Sequence, residues 1–149
     1  MDITINEWLF YYLSNTEEHL YVLAHKILTR LYEKCDRIVY AKGSPMSGKI
    51  NQLSKFELPK QRDTIKDFFR KFSYNSEKML IIDTELPKLP NDLVNILPRR
   101  ETDKDIYLVQ TCLATRDKII LTVDEDLKKA LDNKFGVKVK LVSGFLEES

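Results

Sequence analysis

Apolar and polar positions change period repeatedly along this chain, and each change marks an element. Met1 to Ile5 alternates as a short strand, and an apolar helix follows over Glu7 to Leu13. Asn15 and Thr16 interrupt it. Helical spacing resumes from Glu17 to Lys34, with Leu20, Leu23, Ala24, Ile27, Leu31 and Cys35 on one stripe. Ile38 to Ala41 is strand-like. Ser44 and Pro45 then suit an N-cap and first helical position, which predicts a helix from Pro45 to about Phe56. A further helix is predicted from near Pro59 through Ile65, Phe68, Phe69 and Phe72.

Met79 to Ile82 is a short apolar run of the buried-strand type, and Pro87, Pro90 and Pro98 stiffen the connection after it around a short helix, Leu93 to Leu97. Asp105 to Thr115 has helical spacing at Ile106, Val109, Cys112 and Leu113. Ile119 to Thr122 is a strand, Leu127 to Leu131 a helix, and Val137 to Val142 a last alternating strand. Strands separated by helices pair in parallel through right-handed crossovers, because a tight turn cannot join parallel neighbours. The pattern predicts one α/β domain over residues 1–149, with a central parallel sheet of about five strands flanked by helices.

Composition narrows this picture without redirecting it. With 43% hydrophobic and 32% charged residues the chain is an ordinary globule, and a net charge of +1 gives no overall pull toward nucleic acid or an anionic membrane. Cys35 and Cys112 lie in apolar stretches and form no CxxC pair, so reduced, buried thiols and a cytoplasmic setting are expected. No run of residues is apolar for long enough to span a bilayer, and no basic region precedes the first apolar run. Neither secretion nor membrane insertion is expected.

The chemistry concentrates between Glu101 and Leu131, where two carboxylate clusters stand just ahead of two helices. In an open parallel sheet such positions collect at one edge, where strands end and helices begin. Asp124 follows the strand Ile119 to Thr122, and Asp105 opens the helix leading into it. Oxygen ligands of this kind suit Mg²⁺ or Mn²⁺, which accept phosphate oxygen directly. The same residues also fit helix capping. Thr102 with Asp105, and Thr122 with Glu125, have capping-box spacing, and acids there gain from the helix dipole without a metal.

An Asp opening a helix rich in small residues (Asp105, with Cys112 and Ala114), then an apolar strand (Ile119 to Leu121), then Thr, one residue and Asp (Thr122, Asp124), resembles the C-terminal half of a PIN domain. The resemblance implies a PIN-like three-layer sandwich and a metal-dependent ribonuclease. Asp105 and Asp124 would then bind Mg²⁺ or Mn²⁺, Asn6 would orient a water or ligand, and Asp103 would be an auxiliary acid. Arg99 and Arg100, directly before the acidic loop, would meet backbone phosphate. It also implies RNA as substrate, self-association into a homodimer, and an antitoxin or processing protein as partner. The chain departs from the family pattern twice. If Asn6 is the Asn that follows the first strand, Thr4 stands where the first acid belongs, with Asp2 or Glu7 as substitutes, and the region around Lys49 and Ile50 lacks the acid expected after the second strand. The alternative function is therefore a degenerate PIN-like module that binds RNA or protein without cleaving.

Other constellations carry less. Gly43 to Lys49, GSPMSGK, has the glycine and lysine spacing of a P-loop, but Ile50 replaces the Mg²⁺-binding Ser or Thr, and a small P-loop nucleotide-binding enzyme is the third reading. Asp83 at a strand end resembles a receiver-domain phosphoacceptor without its paired acids. His19 and His25 read as surface or packed histidines. Trp8, Phe10, Tyr11 and Tyr12 divide between core and surface, while Lys55, Lys60, Arg62, Lys66, Arg70 and Lys71 form a solvated basic face.

Overall fold

The computed structural model describes residues 1–15, 17–53, 62–98 and 102–148, with 62–64 and 102–104 as backbone alone. Among these residues five strands form one sheet: β1 (Asp2–Ile5), β2 (Arg37–Ala41), β3 (Met79–Ile82), β4 (Ile119–Thr122) and β5 (Lys138–Leu141). Their order is β3-β2-β1-β4-β5, and every pairing is parallel. The predicted α/β sandwich with a five-stranded parallel sheet is therefore the observed fold.

The strand sequences explain the burial on both faces. β4 reads IILT without a charged residue, and β1, DITI, carries its one charge at its first position, as suits central strands of a parallel sheet. Ile3, Ile5, Ile38, Ile119 and Leu121 face one cluster, built with α1 (Trp8–Leu13), α2 (Glu18–Glu33), α3 (Pro45–Leu53), α4 (Arg62–Phe68) and the final helix α8 (Val142–Glu147). Ile120 and Val139 face the other, built with α5 (Asn91–Ile96), α6 (Thr102–Leu113) and α7 (Glu125–Leu131). Three layers result.

Several boundaries differ from the sequence expectation for identifiable reasons. β3 is an edge strand, with Ile81 47% exposed, since an apolar run does not reveal how many neighbours it has. The last strand stops at Leu141, because Val142 and Phe145 bury one side of α8 against the sheet. The helix ending in Phe72 closes with a π-helical turn, Phe69–Ser73, that sets Phe68 and Phe72 into the core, where Phe68 meets Phe10 edge-on at 5.6 Å. The expected end of α3 at Phe56 and the helix start at Pro59 lie outside the described residues.

Cys35 is exposed, not buried, while Cys112 is buried as expected. Cys35 takes a left-handed backbone with φ +59° just past α2, where the Asp36 amide donates to Leu31 at 2.9 Å and the Cys35 amide to Tyr32 at 3.2 Å. Those paired bonds form a Schellman cap, a place usually held by glycine. The cap turns the chain out of the helix stripe and carries Cys35 to the surface.

Candidate active site at the sheet's carboxyl edge

Strand order reverses between β1 and β4, so the loops after these neighbours leave in opposite directions and open a crevice at their carboxyl ends. Asn6 and Glu7 leave β1 there, and Val123 and Asp124 leave β4. The register pairs Ile5 with Leu121, so the two exits are level to within one residue. Trp8 ties them together, its indole N–H donating to the Leu121 carbonyl at 3.0 Å inside the protein.

Asp124 is the N-cap of α7. Its Oδ1 accepts the amides of Asp126 at 2.9 Å and Leu127 at 3.1 Å. The expected pairing of Thr122 with Glu125 is thereby corrected. Thr122 still belongs to β4, is fully buried, and its hydroxyl accepts the Asp124 amide at 3.2 Å. That bond gives the Thr, one residue, Asp spacing a mechanical meaning: the threonine fixes the backbone that carries the acid. Both capping bonds fall on Oδ1, and no hydrogen bond among the described residues uses Oδ2. Capping and metal ligation are thus compatible in one carboxylate.

On the other side of the crevice, α6 crosses β1 and β2. Its Tyr107, Leu108 and Thr111 close a cavity of about 20 Å³ against Thr4, Asn6, Ala41 and Ser44, with Glu7 at the same wall. That is room for a single water. Thr4 Oγ1, Asn6 Oδ1 and Ser44 Oγ are buried around it without a hydrogen-bond partner among the described residues. Buried polar atoms rarely go unpaired, so a bound water or ion is the natural complement. Asp105 is half-buried in the first turns of the same helix, two residues before Tyr107.

These positions bear on which residue could supply the acid that the family pattern expects after the first strand. Thr4 lies within β1, paired to Val39 and Ile120, and is only 1% exposed, so it is not at the strand end. Asn6 is the first residue beyond the strand, and a neutral amide therefore occupies the strand-end position. Asp2 cannot substitute, because it sits at the opposite end of β1, held by the Arg37 guanidinium at 2.7 and 2.9 Å. That carboxylate also keeps Arg37 above its ordinary pKa by hydrogen bonding. Glu7 does stand at the carboxyl edge. Lys49 is exposed and Ile50 buried on α3, so neither brings an acid.

Among the described residues no three His, Cys, Asp or Glu side chains group to hold a metal. Arg99, Arg100 and Glu101, and the side chains of Thr102 and Asp103, lie outside the described residues. The crevice therefore presents Asn6, Glu7 and Asp124, with Asp105 on the helix that roofs the cavity beside Asn6. Sequence reading assigned Asn6, Asp105 and Asp124 but missed the Trp8 tie and the cavity. The Trp8 tie spans 113 positions, and the cavity joins four separate elements, β1, β2, α3 and α6, so no local pattern announces either.

The P-loop geometry is not formed. α3 already begins at Pro45, so Ser47, Gly48 and Lys49 are helical, and only Lys42 to Ser44 remain as a turn. A phosphate cradle needs those residues as loop. Asp83 follows the edge strand β3, and His19 is 74% exposed beside Glu17 at 3.5 Å. Of the basic face, Arg70 pairs with Asp67 at 2.7 Å and Lys71 lies over Tyr32, while Lys55, Lys60 and the side chain of Arg62 are outside the described residues. No helix among the described residues is long and apolar enough to cross a membrane. Compared with known proteins, the chain matches no family model, and no curated protein or solved structure matches it significantly.

Proposed function

We propose that this is a PIN-like domain that hydrolyses RNA phosphodiester bonds at the carboxyl edge of β1 and β4. One observation supports it most: the strand order sets Asn6 and Asp124 at the exits of adjacent central strands, where open parallel sheets concentrate their chemistry. The donors fit a hard divalent cation, being oxygens only. Asp124 Oδ2 has no hydrogen bond among the described residues, and Asn6 Oδ1 is buried and orphaned. Asp105 and Asp124 are the residues that would hold Mg²⁺ or Mn²⁺. Such an ion, when bound, acidifies a water and offsets charge developing on phosphate. The chain's own contributions are to hold the Asp124 backbone through Thr122, to orient a water with the Asn6 amide, and to roof the site with α6. Asp103, Arg99 and Arg100 remain proposed helpers for metal and phosphate.

A second reading has its own support. Buried, neutral Thr4, at the position the family pattern gives to its first acid, leaves fewer charges to neutralise phosphate, as in a module that binds RNA without cutting it. Labelled RNA incubated with Mn²⁺, Mg²⁺ or chelator, beside Asp105→Asn and Asp124→Asn, separates the two. Hydrolysis that requires metal and is lost in both variants supports the nuclease. RNA retention without cleavage under any metal favours the module, and metal-dependent cleavage that survives both substitutions removes the assigned site.

A further inference from the structure

A second concavity adjoins the crevice. A groove of about 630 Å³ lies between α1 and α3, lined by Glu7, Trp8, Tyr11, Tyr12, Lys49 and Val123 among others. Its volume is within the roughly 300–1,000 Å³ typical of small-ligand sites. Its floor and rim have different characters. Trp8 is 6% exposed and braced edge-on by Tyr12 at 5.4 Å, whereas Tyr11 leaves 64% of its surface in solvent. Helical geometry separates Tyr11 from its buried neighbour Phe10, since adjacent side chains on α1 point about 100° apart. A large ring left outside while Trp8 and Phe10 are buried is available for a partner.

We infer that this groove receives an unpaired nucleotide of single-stranded RNA, its base on the Tyr11 ring and its phosphate at Lys49. The inference rests on the nuclease or RNA-binding reading above and adds the residues that hold a nucleotide beside the site, Tyr11 and Lys49. Three features select this occupant. Tyr11 offers an exposed aromatic face, and a base can stack on it only when freed from a duplex. Exposed Lys49 on α3 gives phosphate a cation on the wall facing Tyr11. The groove is continuous with the catalytic edge, because Glu7 also lines the cavity beside Asn6 and Val123 immediately precedes Asp124. A nucleotide held here places the next phosphodiester toward Asp124. Glu7 repels phosphate, so the backbone runs on the Lys49 side and the Glu7 carboxylate accepts from a base amino group.

The test uses the full chain in chelator, so that no cleavage intervenes and its outcome is independent of the nuclease assay. Fluorescence anisotropy follows an eight-nucleotide labelled single strand, the same strand annealed to its complement, and an abasic ribose-phosphate strand of equal length. Tyr11→Ala weakens single-strand binding by roughly 5- to 100-fold, the usual effect of losing one stacked base, while Tyr11→Phe keeps it within about twofold. Lys49→Ala weakens binding and lowers the salt slope by about one. Trp8, the only tryptophan, changes its emission with the intact strand and not with the abasic one. The inference is overturned if Tyr11→Ala binds as the wild type does, if duplex or abasic strand binds equally well, or if the wild-type chain does not bind the single strand at low salt. Sedimentation showing a dimer that Tyr11→Ala dissociates would assign the groove to a second copy and also overturn it. Thermal melts check that each variant is folded.

Discussion

Asp124 has two duties in this account, and two substitutions separate them. Its Oδ1 caps α7 through bonds of 2.9 and 3.1 Å, while Oδ2 is left for a cation. Asp124→Asn keeps a carbonyl oxygen able to accept both amides, and Asn caps helices about as well as Asp. Its stability change should stay within about 0.5 kcal/mol, allowing for the lost charge at the helix start. Asp124→Ala removes the acceptor and costs about 1 kcal/mol, with an upper range near 2 kcal/mol. For a chain of this size 1 kcal/mol is worth roughly 2–4 °C in Tm. Calorimetry should therefore show Asn near wild type and Ala lower by a few degrees. Metal-dependent RNA cleavage, in contrast, should fall to background in both, because neither supplies an anionic ligand. Asn and Ala destabilised alike would refute the capping half, and an Asn variant cleaving at the wild-type rate would refute the ligand half.

Three further outcomes follow from other parts of the fold. Cys35→Gly should raise Tm by a few degrees, since relief of about 1–2 kcal/mol of left-handed strain exceeds the roughly 0.5–1 kcal/mol of added chain entropy; an unchanged or lower Tm contradicts the cap. In the native chain only Cys35 should react with a thiol reagent at pH 8. Cys112 is protected by burial, which also pushes its pKa up to about 12, and two fast-reacting thiols would disprove that. Asp132 is held below the ordinary 3.8: burial opposes the charge, but the Val139 amide and the Lys128 ammonium outweigh it. A lowered folded pKa gives stability that is present above the unfolded value and lost as the pH falls through the folded one. Asp132→Asn should thus cost about 0.5 kcal/mol at pH 7, a deficit that closes below pH 3.8, and a pH-independent deficit would exclude the charge as its cause.

Strand and helix order was legible because it depends on period alone. β4 could be read from four adjacent apolar or small residues, and all four are buried. Lateral position was not legible: the similar run MLII became an exposed edge, since burial there depends on which strand lies beside it. The acids show the same division. Asp124 was visible from its place after β4, but its choice of Oδ1 for capping is a property of the turn that Thr122 fixes. The burial of Thr4 was not legible, because it is polar yet its backbone is paired on both sides inside the sheet, and alternation offers no reason to bury it. α8 escaped notice because its two buried residues, Val142 and Phe145, directly continue the apolar pattern of β5.

The central claim is that Asp105 and Asp124 hold one divalent cation between α6 and the end of β4. Titrating Mn²⁺ into the full chain and following the free-ion signal by electron paramagnetic resonance tests it most directly. The account predicts one bound Mn²⁺ per chain, with that site lost in Asp105→Asn and in Asp124→Asn while both variants melt cooperatively near the wild-type temperature. Mn²⁺ bound equally well by both variants, or not bound by the wild-type chain, would contradict it.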